Sequence, residues 1–134
     1  MSFELETVVG SVLILFALLV FQGTLVPLNQ GFGWGLGSRD GKAEYTAMQG
    51  RASRTVANHV EGMLLFVPLV MVVEMGGLSS QLTTVGAALY LAGRLAFVPF
   101  YLFGVSYLRS LVWGVALLGT MLVGYEVIMA MVAA

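Results

Sequence analysis

Four long apolar runs, separated by short polar or glycine-rich breaks, organise the chain. The first covers residues 7–28, with Ser2, Glu4 and Glu6 ahead of it and Pro27, Asn29 and Gln30 at its close. The second covers residues 43–75: an opening stretch at 43–50, then a helix from Arg51 to Met75 in which Pro68 is tolerable, as proline is within membrane helices. The third covers 81–103 and carries Arg94 and Pro99; the fourth covers 109–132, with Glu126 near its far end. Each run is long enough for a helix to cross a bilayer, which takes about 20 residues. The pattern predicts an all-α integral membrane protein, a four-transmembrane-helix bundle forming one domain over residues 1–134. Of the breaks, residues 31–42 read as an interfacial loop with Trp34 at headgroup depth. That loop is glycine-rich, but it lacks the preceding strand and the Gly-Lys-Ser/Thr ending of a phosphate loop. Residues 76–80 and 104–108 read as short turns.

Composition sharpens this picture. The 134 residues are 59% hydrophobic and 10% charged, where a soluble domain carries about 25% charged residues. A net charge of −1 gives no case for nucleic acid as a partner. Cysteine is absent, which excludes disulfides, thiolate metal sites and a cysteine nucleophile, so any thiol chemistry needs a thiol brought by the substrate. The single histidine is too few for a histidine-based metal site, and no metal is expected. Without a basic flank or small-residue cleavage site at the start, the first apolar run is expected to be retained as a helix. Arg39, Lys42, Arg51 and Arg54 border the first break and Arg109 the third; the positive-inside rule then places these breaks in the cytoplasm and both termini outside.

The polar residues inside the apolar runs are the functional clue. Arg51, Arg54, Asn58 and Glu61 fall within an arc of roughly 80° on one helix face, while His59 lies off it and reads as a packing or headgroup residue. A charge within a span costs about 2.5–3.5 kcal/mol on insertion scales, so this face must meet a bundle interior, a wet cleft or a ligand. Glu61 lies roughly 15 Å along its helix from Arg51, and Arg94 roughly 14 Å from the corresponding end of the next helix, at the helical rise per residue. The matching depths predict an ion pair between them. Tyr101 lies two turns from Arg94 on the same face, and Arg109 caps the neighbouring helix at the same end. Glu74 and Glu126, near the opposite ends, need only snorkel.

Two or three arginines suit carboxylates, a glutamate suits an ammonium and an asparagine suits an amide, a set that matches a small zwitterionic peptide such as glutathione. A guanidinium beside its sulfur would raise the thiolate fraction, and the second substrate would arrive from the lipid as a hydrophobic electrophile. The motif Arg54-x-x-x-Asn58-x-x-Glu61, with Arg94 and Tyr101 in the third run and Tyr107-Leu108-Arg109-Ser110-Leu111-Val112-Trp113 opening the fourth, resembles the MAPEG family. These are the membrane-associated proteins of eicosanoid and glutathione metabolism, including microsomal glutathione transferases and their bacterial relatives. The resemblance covers essentially the whole chain. It implies a homotrimer with glutathione bound between subunits near the cytoplasmic face, in a bacterial inner membrane. Carried over, Arg54, Asn58, Glu61, Arg94 and Tyr101 would bind glutathione, with Arg51 as a peripheral contact, and Arg109 would be the catalytic residue stabilising the thiolate. Phe97 and Gly62 depart from the patterns of eicosanoid synthases, which favours a generic glutathione transferase, with or without peroxidase activity.

Other readings account for some of the same residues. Arg54, Asn58, Glu61 and Arg94 also suit a structural network fixing helix register. Arg109 taken alone is a positive-inside anchor, and Tyr101 and Tyr107 alone are interfacial belt residues. At the level of function, a non-catalytic relative that binds membrane lipid or serves as a scaffold is the alternative to an enzyme. A small drug exporter would need a carboxylate deep in the first run, which has no acidic residue past Glu6.

Overall fold

The computed structural model describes all residues 1–134, and its elements are helical throughout: α1 (Phe3–Gln30), α2 (Phe32–Leu36), α3 (Ala47–Gly76), α4 (Gln81–Leu102) and α5 (Ser106–Ala133). Four of these are long and apolar enough to cross a membrane. The predicted spans hold, with their ends shifted. The first helix begins at Phe3, capped by the Ser2 hydroxyl, so Glu4 and Glu6 belong to it; Pro27 lies inside it and does not end it. The second begins at Ala47, where Thr46 and Gln49 form a capping box, so residues 43–46 are not helical. The glycine-rich break, expected to be a loop, contains a single short helix, α2. Pro68 and Pro99 both sit inside continuous helices.

Local chemistry explains the boundaries. Ser80 and Thr83 cap α4 reciprocally, as Thr46 and Gln49 cap α3, each box satisfying two backbone donors at a helix start. At the end of α3, Gly77 takes a left-handed conformation (φ 62°) that lets Leu78 N–H reach the Val73 carbonyl at 2.8 Å. The tightest pairing is between α4 and α5, where glycines let the backbones touch. A Cβ on Gly93 would lie 2.7 Å from Ala116 N, one on Gly86 2.7 Å from Gly119 O, and one on Gly119 would overlap the Gly86 carbonyl. The core beside this seam joins Phe66, Val70 and Val73 of α3 to Ala87 and Tyr90 of α4 and Ala116, Val123 and Val127 of α5. Phe66 and Tyr90 stack face to face, centroids 3.7 Å apart.

Helix α1 is held differently. Its buried stripe starts with Glu4, Thr7 and Ser11, all polar. Glu4 accepts hydrogen bonds from the Thr83 and Thr84 hydroxyls (2.5 and 3.1 Å), and Ser2 bonds Glu74. In mid-helix the Ser11 hydroxyl meets Tyr90 Oη at 2.9 Å, while His59 Nε2 donates to the Ser11 carbonyl at 2.9 Å. His59 is fully buried and ties α1 to α3, so it is a packing residue inside the bundle. At the other end Gln30 and Gln49 exchange side-chain hydrogen bonds of 2.7 and 3.0 Å, closing α1 onto the start of α3.

Candidate functional site

Helix α3 presents the predicted polar face, and α4 and α5 meet it at the end of the bundle that carries the α4–α5 turn. Arg51 is half-buried and donates Nε to the Leu102 carbonyl at 2.8 Å, fastening α3 to the last turn of α4. Arg54 is exposed and donates Nε to the Tyr101 hydroxyl at 3.0 Å. One turn deeper, Asn58 accepts from Arg94 Nη1 at 2.7 Å. A further turn on, Glu61 is exposed at the surface of the single chain.

Arg94 is the most constrained member. It is 5% exposed, and its guanidinium lies 5.7 Å from the ring centroids of both Tyr90 and Phe97. The space it fills exists because residue 62 is glycine, since a Cβ there would overlap the guanidinium. The ion pair expected between Arg94 and Glu61 does not form. Arg94 bonds Asn58 and leaves its buried Nε without a partner. Helix geometry gives the reason. Asn58 and Gly62 are four residues apart and share the face that receives Arg94, while Glu61 is turned about 100° from Gly62. Depth was the right guide all the same, because Glu61 and Arg94 line one cleft.

Two adjoining clefts result. The shallower, about 270 Å³, is lined by Asn58, Phe97, Tyr101, Arg109, Ser110 and Trp113. The deeper, about 150 Å³, has Asn58, Glu61, Arg94 and Thr120 among apolar Leu65, Trp113 and Leu117. Asn58 and Trp113 belong to both, so the clefts meet at these two side chains. The Arg109 guanidinium sits over the Tyr101 ring, 4.9 Å from its centroid, a cation–π contact that orders a long side chain at a helix start. Phe97 packs obliquely on the other side of Tyr101 at 5.3 Å.

The structure thus brings Asn58, Glu61, Arg94, Tyr101 and Arg109 together and links Arg54 to them through Tyr101. It uses Arg51 as a helix tether, and leaves Tyr107 almost fully exposed, away from both clefts. Sequence reasoning did not identify Trp113 or Thr120 as cleft walls, nor the Ser11–His59–Tyr90 network behind Arg94. Tyr90, one turn before Arg94, was the available signal for the network; a serine and a histidine on separate helices offered none. Chemically, the guanidiniums of Arg94 and Arg109, one carboxylate and one carboxamide around adjoining apolar-walled clefts, with Arg54 linked through Tyr101, suit a zwitterionic ligand with more than one carboxylate.

No curated protein and no solved structure matches the chain. A family-wide sequence model described as the MAPEG family matches residues 7–129, a span that reaches from α1 into α5 and includes every residue of both clefts. The chain is therefore an integral membrane protein belonging to the MAPEG family of glutathione and eicosanoid metabolism.

Proposed function

We propose that the protein is a membrane-bound glutathione transferase, assembled as a homotrimer, that activates the glutathione thiol for attack on lipophilic electrophiles. The observation that carries this reading is the convergence of Asn58, Glu61, Arg94, Tyr101 and Arg109 on two adjoining clefts that run from the α4–α5 turn to the middle of α3. Arg54 and Arg94 supply charge for the two carboxylates, Glu61 accepts from the ammonium, and Asn58 fixes an amide. Arg94 is suited to this because it lines the deeper cleft and its one side-chain hydrogen bond, from Nη1, goes to the neutral amide of Asn58 and not to a carboxylate. Arg51, bonded to Leu102, acts at the periphery by holding α3 in place.

Arg109 is the residue for the chemical step. Its cation, ordered on Tyr101, lowers the free energy of a neighbouring thiolate relative to the thiol, and the released proton leaves to water. The thiolate then forms a carbon–sulfur bond with the electrophile, and the displaced electron pair leaves with the departing group. The apolar walls given by Leu65, Trp113 and Leu117 provide an approach for a substrate dissolved in lipid. Glu61 and Arg54 are exposed on the single chain, which fits a site completed by a neighbouring subunit.

The test is a glutathione titration of the purified protein, following thiolate absorbance at neutral pH beside Arg109→Ala. The expected result is a stoichiometric thiolate signal in the parent protein, with the variant binding glutathione at similar affinity but losing the signal and most turnover. Unchanged turnover in Arg109→Ala sinks the assignment of Arg109. Glutathione binding without a thiolate points to a non-catalytic relative, and no binding returns the polar cluster to a structural role.

A further inference from the structure

Behind Arg94, a buried circuit of side chains joins α1, α3 and α4 and closes on itself. Ser11 of α1 is its hub. The Ser11 hydroxyl meets Tyr90 Oη of α4 at 2.9 Å, and the Ser11 carbonyl accepts from His59 Nε2 of α3 at 2.9 Å. Tyr90 lies one turn before Arg94, its ring centroid 5.7 Å from the guanidinium, and Arg94 Nη1 donates to Asn58 at 2.7 Å. Asn58 and His59 are consecutive residues, so the circuit returns to Ser11 through the α3 backbone. We infer that Ser11, Tyr90 and His59 are positioning residues for Arg94. Helix α1 contributes no side chain to either cleft, yet through them it sets the direction of the guanidinium that receives a ligand carboxylate.

Ser11, His59 and Tyr90 are fully buried, and polar groups so placed need partners; they take one another. Two contacts fix the Tyr90 ring. Phe66 stacks on it with centroids 3.7 Å apart and planes 8° apart, and Ser11 holds its hydroxyl. The ring fixed in this way is one wall of the slot around Arg94, with Phe97 as the second at 5.7 Å and the bare backbone of Gly62 as the third. Inside the slot Arg94 makes one side-chain hydrogen bond, to a neutral amide, so the walls and not a counter-charge direct it. Without the Ser11 hydroxyl, Tyr90 keeps its stacking partner but loses the bond that sets where its ring lies. Residues four apart share a helix face, so a shift of Tyr90 passes directly to Arg94. A binding side chain is only as well placed as the residues that support it.

The ligand half of this inference rests on the glutathione reading; the ordering of Arg94 does not. A role confined to packing has a different signature. If the Ser11–Tyr90 bond only held α1 in the bundle, its loss would lower the unfolding temperature and leave both Arg94 and glutathione affinity as they were. Thr7 supplies the comparison. It is buried on the same stripe of α1, but its hydroxyl donates to the Glu4 carbonyl of its own helix at 2.7 Å. Thr7→Val therefore removes a buried α1 hydroxyl without touching the circuit.

The experiment compares Ser11→Ala, Tyr90→Phe, the double variant and Thr7→Val in the full-length protein, with circular dichroism to confirm intact helices. One readout is solvent exchange of the Arg94 Nε–H by NMR of arginine-labelled protein, assigned by replacing Arg39, Arg51, Arg54 and Arg109 with lysine in turn. The other is the Kd and KM for glutathione beside kcat. In each single variant we expect exchange about fivefold faster and Kd and KM about fivefold higher, the usual effect of losing one buried hydrogen bond. The double variant should be no worse than either single one, because both remove the same interaction. At saturating glutathione kcat should stay within about twofold of the parent, since the loss is in ground-state binding and Arg109 is untouched. Thr7→Val should match the parent in both readouts. Parent-like Arg94 exchange in both single variants, effects that add in the double variant, or faster exchange with unaltered glutathione affinity would each overturn the proposal. A parent protein that binds no glutathione ends the glutathione reading instead, and Arg94 exchange alone then decides whether the circuit positions the guanidinium.

Discussion

Gly62 shows how much of the site one absent side chain controls. Arg94 reaches Asn58 only through the volume that a Cβ at residue 62 would occupy. Gly62→Ala should therefore displace the guanidinium, break its bond to Asn58 and cost about 1–3 kcal/mol by overpacking. The expected readout is a lower unfolding temperature together with weaker glutathione binding. Gly114→Ala is the matching control on α5, where an added Cβ meets nothing within 4 Å. There alanine should be neutral or stabilising by up to about 1 kcal/mol, through helix propensity alone. If both variants behave alike, Arg94 is not held in the way described. Phe97 belongs to the same account, since its ring faces the guanidinium at 5.7 Å where a polar ring would compete for the charge. Gly62 and Phe97 are thus both fitted to one buried arginine.

At the scale of elements, different helix pairs are held by different forces. The α4–α5 seam depends on backbone proximity at Gly86, Gly93 and Gly119. Gly119→Ala would press a methyl group into the Gly86 carbonyl and to within 2.5 Å of Tyr90 N, and backbone cannot rotate away as a flexible side chain can. We expect a loss of 3 kcal/mol or so, at the upper end for overpacking, visible as a large drop in thermal stability in detergent. Separating the helices would also shift Tyr90, which backs Arg94. The capping boxes act more locally. Thr46→Ala removes the acceptor for Gln49 N–H and should cost about 1 kcal/mol, with fraying of the first turn of α3 measurable by hydrogen exchange. Because Arg51 and Arg54 follow within two turns, that fraying should loosen glutathione binding more than it lowers the unfolding temperature. Helix α1 packs Leu5 and Val8 against the core and adds hydroxyl, carboxylate and imidazole hydrogen bonds to α3 and α4, polar contacts that act between helices in a solvent where apolar burial gives little drive.

For the whole molecule, the decisive feature is charge left at the surface of membrane-spanning helices. Glu61 lies in the middle of α3 and is exposed on the single chain. Facing lipid, a carboxylate at that depth costs about 2.5–3.5 kcal/mol on insertion scales. Burial against a neighbouring subunit, with a ligand ammonium as partner, removes that cost. The expected state in mild detergent is accordingly a trimer, measured by light scattering corrected for the micelle. A monodisperse monomer that still binds glutathione would show that the cleft functions without a neighbour.

The sequence by itself determined the four long helices, their order and the depth of each polar residue. Hydrophobic runs set where a chain can cross a bilayer, and a constant helical rise converts residue number into depth. It also placed Asn58, Glu61, Arg94, Tyr101 and Arg109 in the same half of the bundle, because antiparallel neighbours bring equal depths together. Tertiary structure alone decided which side chain meets which. The azimuth of one helix against the next is set by packing at Gly62, Gly86, Gly93 and Gly119, and no periodicity reports it. That is why Arg94 bonds Asn58 and not Glu61, why Arg51 holds Leu102, and why Ser11, His59 and Tyr90 meet inside the bundle.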